Sequence, residues 1–91
     1  MKFEWDAEKS AINLKFHGVS FEEAIEVFFD RNAVEGFDSA HSIDENRFYI
    51  IGFSSRRLLY VVYAEKISEN AIRLISARKA ERKMQKEYEK K

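Results

Sequence analysis

Arginine and lysine crowd the last third of this sequence at spacings that chemistry can use. Arg78, Arg82 and Lys86 stand four residues apart, with Lys79, Lys83 and Lys90 beside them. On a helix each set forms one stripe. Arg73 lies just upstream in a β-rich stretch, and Arg56 and Arg57 occupy a turn before that. Clustered cations of this kind suit a phosphate backbone. Arginine suits it best, because its planar guanidinium presents paired donors to phosphate oxygens. Lys83, Lys86, Lys90 and Lys91 are better explained as a solvated helix face. Arg73 and Arg78 are not, since an arginine beside a buried strand needs a specific partner.

Other chemistry is sparse. His17 and His41 are the only histidines and there is no cysteine. Two histidines fall short of the three or four ligands zinc needs, so no metal is expected. The sequence contains no P-loop, GxGxxG, GxSxG or HExxH pattern, so no nucleotide cofactor is expected either. His17 falls at the end of a helical stretch, where a basic residue serves as a cap. It is also a candidate for proton transfer. Glu22, Glu23, Glu26 and Asp30 make an acidic face on the second helical stretch, read either as a docking surface for a basic partner or as plain solubility.

The charge distribution sharpens this picture. Of 91 residues, 16 are basic and 16 acidic, yet residues 1–46 hold 4 Lys/Arg against 11 Asp/Glu (net −7), and residues 47–91 hold 12 against 5 (net +7). Such a split fits one acidic and one basic partner, or two halves attracting each other within the fold. The length implies one domain spanning 1–91. Eight Phe, four Tyr and one Trp provide the buried area that so short a chain requires. No apolar run reaches the length of a signal peptide or a membrane span, so a cytoplasmic protein without membrane contact is expected.

The elements that must position these residues follow from periodicity. Lys2–Trp5 reads as a short strand. Asp6 is an N-cap for a helix over Ala7–Phe16 that Gly18 ends. Ser20 and Glu23 form a capping box for a second helix, whose Phe21, Ala24, Ile25 and Phe28 make an apolar stripe. Strands are expected at Arg47–Ser54, Leu58–Lys66 and Ala71–Ala77, with a weaker one at Ala33–Phe37, and a terminal helix over Arg78–Lys90. The class is α+β: two N-terminal helices, an antiparallel sheet of about four strands in meander order, and a C-terminal helix. The middle strands are apolar on both faces. The first helices cover one face; the terminal helix, a partner, or both must cover the other.

Three stretches together carry a resemblance: FEWDAEKSAINLKFHGVSFEEAIEVFFD (Phe3–Asp30), RFYIIGFSSRRLLYVVYAE (Arg47–Glu65) and IRLISARKA (Ile72–Ala80). They resemble the BrnT toxins over nearly the whole chain, Phe3 to Tyr88. That resemblance implies a RelE-like ribonuclease fold and a toxin of a type II toxin–antitoxin system that arrests translation by cutting RNA. It also implies a ribbon-helix-helix antitoxin of the BrnA kind, which brings the pair to operator DNA. The sequence departs from the family pattern at Phe16, where lysine is common before the HG pair. It departs again at Arg56–Arg57 in place of Gly-Arg, and at Met84–Gln85 in place of Glu-Arg.

With that resemblance in hand, the residue chemistry suggests RNA cleavage without metal. The substrate's own 2′-hydroxyl attacks the phosphate while the protein moves protons and offsets charge. Arg57, Arg73 and Arg78 are the expected phosphate clamps, converging on one spot. His17 and Tyr63 are the candidates for proton transfer. Arg56, Lys79, Arg82 and Lys83 are expected to bind RNA, which includes mRNA on the ribosome, and Glu22, Glu23 and Glu26 to bind the antitoxin. The rival readings are a nucleic-acid-binding module that does not cut and a pure protein-interaction module.

Overall fold

Asp6 and Ser20 punctuate the N-terminal third, and each acts as its type does at a helix start. The Asp6 carboxylate accepts from the backbone N–H of Glu8 (2.8 Å) and Lys9 (3.3 Å), opening α1 (Ala7–His17). Gly18 ends α1 in the left-handed region at φ 69°, its N–H donating to the Leu14 carbonyl. Ser20 Oγ then accepts from Glu23 N–H at 3.0 Å and opens α2 (Phe21–Glu26), which tightens into a 3₁₀ turn at Val27–Phe29. The capping box is only half made, because the Glu23 carboxylate is committed to Arg57 instead. The computed structural model describes every residue except Ala40, His41, Ile43, Asp44 and Lys91, so His41 and Lys91 lie outside the described residues.

The strands are β1 (Lys2–Glu4), β2 (Val34–Phe37), β3 (Arg47–Phe53), β4 (Leu58–Lys66) and β5 (Ala71–Lys79). They form one mixed sheet in the order β1-β5-β4-β3-β2. The expected meander is there, since β2 to β5 pair antiparallel in sequence order. The count of about four is corrected to five: β1 joins the meander parallel to β5, with Lys2 N–H donating to the Asn70 carbonyl. A bulge interrupts the β4–β5 ladder. Val62 pairs with Ser76 and Tyr63 with Leu74, so Ile75 is the extra residue.

Alternation assigns the faces. Val19, Phe21, Ala24 and Val27 pack on Ile50, Leu59, Val61, Tyr63, Leu74 and Ala77, which makes the main core between α2 and one face of the sheet. Burying Phe21 or Leu59 completely contributes roughly 2–3 kcal/mol each. α1 is different: its only buried residue is Asn13. β1 covers just Ala71–Arg73 of β5, leaving the rest of that edge open. The Asn13 amide fills the gap, donating to the Ala77 carbonyl (2.8 Å) and accepting from Ala77 N–H (3.0 Å). α1 therefore runs along the sheet edge.

The terminal helix, α3 (Arg82–Glu89), starts four residues later than its sequence suggests. Arg78 and Lys79 belong to β5, and Ala80 N–H still donates to the Leu58 carbonyl. Pairing with β4 and the Asn13 clamp on Ala77 outweigh the helix preference of Ala-Arg-Lys-Ala. α3 packs on the second face against β3. Tyr88 packs edge-on against Phe53, and Glu87 Oε2 accepts from Tyr49 Oη–H at 2.6 Å. The β4–β5 half of that face stays open.

Candidate functional site

The open half of the second face is a cleft of about 310 Å³. Register places its floor. Tyr60 pairs with Arg78 and Val62 with Ser76, so these side chains rise together on the face opposite Leu59 and Val61. Arg47 enters from the start of β3, and Asp38 from the segment after β2, whose N–H donates to the Arg47 carbonyl. His17 arrives from a different element: the Asn13 clamp fixes α1 along β5, and the C-terminal turn of α1 delivers the imidazole to the rim beside Ser76 and Arg78.

The cleft is electrostatically asymmetric. The Arg78 guanidinium lies 5.2 Å from the centroid of the Tyr60 ring, a cation–π contact, and makes no ion pair among the described residues. Arg47 is half-committed: its Nε is buried without a hydrogen bond among the described residues, and Glu45 stands 3.8 Å away. Burial, followed by the field of Asp38, pushes the Tyr60 phenol above its ordinary value, with Arg78 opposing. The phenol therefore stays neutral around pH 7. One imidazole, two guanidiniums, a hydroxyl and a neutral phenol thus face one concavity together with the Asp38 carboxylate, a set whose cationic side can hold an anion and whose imidazole can move a proton.

Of the expected site residues, the structure brings His17 and Arg78 together and sends the others elsewhere. The expected convergence of Arg57, Arg73 and Arg78 is corrected. Arg57 lies on the far side of the sheet, locked to Glu23 by Nε (3.0 Å to Oε2) and Nη2 (2.9 Å to Oε1), with Nη2 also donating to the Gly18 carbonyl. Ser54 Oγ adds a 2.8 Å bond to the same carboxylate. Arg57, and then Ser54, hold the Glu23 carboxyl below its usual range against the cost of burial. Arg73 shares the cleft's face, pairing with Ala64 as Arg47 does, but it is bound to Glu45 at the opposite end.

Tyr63 is 2% exposed, and its hydroxyl donates to Glu35 on the α2-covered face. Burial and Glu35 push its phenol far up, so it keeps its proton and has no access to the cleft. Arg56 is exposed on the β3–β4 turn, Lys79 is exposed at the end of β5, and Arg82 and Lys83 are exposed on α3. Arg78 and Arg82 share no helix, so the expected stripe does not form. The acidic face is broken as well. Glu23 points inward, Asp30 accepts from Phe53 N–H and Tyr88 Oη–H, and Glu26, though exposed like Glu22, accepts from Ser55 N–H (2.7 Å).

Sequence reasoning missed Arg47, Tyr60, Ser76 and Asp38. Alternation along LLYVVY does set Tyr60 apart from Leu59 and Val61, but the bulge at Ile75 decides what stands opposite it. Among the described residues no three His, Asp or Glu side chains are grouped to hold a metal ion. No described helix is long and apolar enough to cross a membrane.

Comparison with known proteins adds one result. The family model described as the ribonuclease toxin BrnT of type II toxin–antitoxin systems matches residues 5–83. No curated protein matches the chain.

Proposed function

Because the chain belongs to the BrnT family of ribonuclease toxins of type II toxin–antitoxin systems, we propose that the cleft between β3, β4, β5 and the end of α1 is where its RNA is cut. The observation that carries this reading is the pairing of Arg78, which no carboxylate engages among the described residues, with His17 on the rim of the same concavity.

The reaction is transesterification. The RNA 2′-oxygen forms a bond to the adjacent phosphorus as the bond from phosphorus to the 5′-oxygen breaks. A 2′,3′-cyclic phosphate and a free 5′-hydroxyl result. The proton leaving the 2′-hydroxyl and the proton reaching the 5′-oxygen pass through the site, and His17 is the group on this rim whose imidazole can both accept and donate one. Arg78, assisted by Arg47, offsets the negative charge gathering on the non-bridging oxygens. Because the nucleophile belongs to the substrate, the step needs no metal. Arg73, Lys79, Arg82, Lys83 and Arg56 extend the positive field from which the cleft draws RNA.

The biological reading follows. Cutting RNA, with mRNA on the ribosome as the natural target, arrests translation in the cytoplasm. A ribbon-helix-helix antitoxin neutralises the toxin and carries it to operator DNA. Exposed Glu22 remains as one contact for that partner.

The test is cleavage of a labelled single-stranded RNA by purified protein in EDTA. The expected products carry a 2′,3′-cyclic phosphate and a 5′-hydroxyl. Binding without any cleavage would favour a non-catalytic RNA-binding module. A requirement for added divalent metal, with 3′-hydroxyl products, would contradict the mechanism.

A further inference from the structure

Resting on the reading of the cleft as the RNA site, we infer that Tyr60 is a positioning residue for Arg78, held in place by Tyr49 and, through it, by Glu87 of α3. An arginine without a carboxylate partner has a long side chain and many rotamers, and ordering it costs entropy. Something else must hold Arg78 if it is to meet phosphate in one geometry. Among the described residues the contact that can do so is the Tyr60 ring, whose centroid lies 5.2 Å from the guanidinium carbon. A ring orients the flat guanidinium by its face while leaving the N–H donors to point elsewhere, which a carboxylate would not do.

The Tyr60 ring is itself constrained. Tyr49 stacks on it with centroids 5.4 Å apart and planes inclined by 19°. Tyr49 in turn is fixed from two sides. Its hydroxyl donates to Glu87 Oε2 at 2.6 Å. Its ring lies over Gly36 on β2, where a Cβ would overlap it, so glycine is what admits the ring. The hydrogen bond to Glu87, and then burial, push the Tyr49 phenol up to about 12, which keeps this hydrogen bond intact across the neutral range. The order is then Glu87, Tyr49, Tyr60, Arg78, running from α3 to the cleft. It explains why a helix with no buried residue of its own is docked on this face by Glu87 and Tyr88.

The test combines cleavage of a labelled single-stranded RNA with NMR of the arginine side chains. Tyr60→Leu removes the ring and is expected to slow single-turnover cleavage roughly tenfold, whereas Tyr60→Phe keeps the ring and restores the rate. In the Arg78→Ala background, Tyr60→Leu is expected to add nothing, because a residue that acts only through Arg78 has nothing left to position. Tyr49→Phe, which keeps the stack and loses the bond to Glu87, is expected to cost about two- to threefold. In the NMR spectrum the Arg78 Nε–H signal, identified by its absence in Arg78→Lys, is expected to be displaced by the Tyr60 ring current. Tyr60→Leu returns it to the position of a free arginine and Tyr60→Phe does not.

A wild-type Arg78 signal already at the free position overturns the proposal. So does wild-type cleavage by a folded Tyr60→Leu variant when Arg78→Ala is inactive. If Arg78→Ala itself cleaves normally, the reading of the cleft fails instead, and the NMR result still decides whether Tyr60 positions Arg78.

Discussion

Arg57 and Arg78 are the same residue type in the same basic half of the chain, and the fold gives them opposite employment. Arg57 is three-quarters buried on the α2-covered side and engaged through Nε and Nη2 by both oxygens of Glu23 and by the Gly18 carbonyl. Arg78 lies on the other side, stacked on the Tyr60 ring, with the Asp38 carboxylate in the same cleft but not ion-paired to it. What decides between structure and chemistry is therefore whether a carboxylate binds the guanidinium. A bidentate carboxylate uses the donors that a phosphate would need; a ring leaves them available. Arg73, which shares the cleft's face but is bound to Glu45, stands between the two cases.

The largest contrast is expected from alanine at each end of this comparison. Arg78→Ala should reduce RNA cleavage about 100- to 1,000-fold while the protein unfolds at the wild-type urea concentration, because the guanidinium acts on charge that develops in the transition state. Arg57→Ala should do the reverse. It leaves the buried Glu23 carboxylate with only the Ser54 hydroxyl and a more distant Arg56, 3.8 Å away, and costs about 3 kcal/mol in urea unfolding, with cleavage per folded molecule unchanged. Loss of cleavage in a stably folded Arg57→Ala variant would break the comparison.

The Glu23 lock also sets a pH dependence. Its carboxyl is held low in the folded protein, so the unfolded chain binds a proton more readily. That stabilisation is complete above the unfolded value, about 4.3, and is lost as pH falls through the folded value. Acid unfolding followed by circular dichroism should therefore be shallower in Glu23→Gln, which starts less stable at pH 7. An unchanged acid slope would show that the lock contributes little.

Smaller effects sharpen the comparison. Arg73→Ala should lower cleavage by about threefold, since the arginine lies at the far end of the same face and is already bound to Glu45. The double variant Arg82→Gln, Lys83→Gln should leave the rate at saturating RNA unchanged and reduce the salt dependence of RNA binding, by a slope of at most about 1.4. A fall in the saturated rate would place α3 in the chemistry.

The sequence made the elements legible where local signals were strong. Asp6, Gly18 and Ser20 mark the helix ends, and alternating apolar residues mark β3, β4 and β5. It misled where tertiary pairing overrode propensity, as at Arg78 and Lys79, which look helical and form strand. The site was half legible. His17 and Arg78 were visible as chemistry-bearing types, but their meeting depends on Asn13 clamping α1 to an open strand edge. A polar residue in mid-helix gives no hint of that. Arg57 and Glu23 looked like two functional groups on two surfaces. Only three-dimensional proximity reveals that they neutralise each other.

The most direct test of the whole account is an NMR titration of the protein with a single-stranded RNA whose 2′-hydroxyls are replaced by 2′-methoxy groups, so that it binds and is not cut. Amide shifts are expected to concentrate at His17, Arg47, Tyr60, Ser76 and Arg78, and to leave Glu23 and Ser54–Arg57 unmoved. Shifts centred on the Ser54–Arg57 turn, with the cleft residues unchanged, would contradict it.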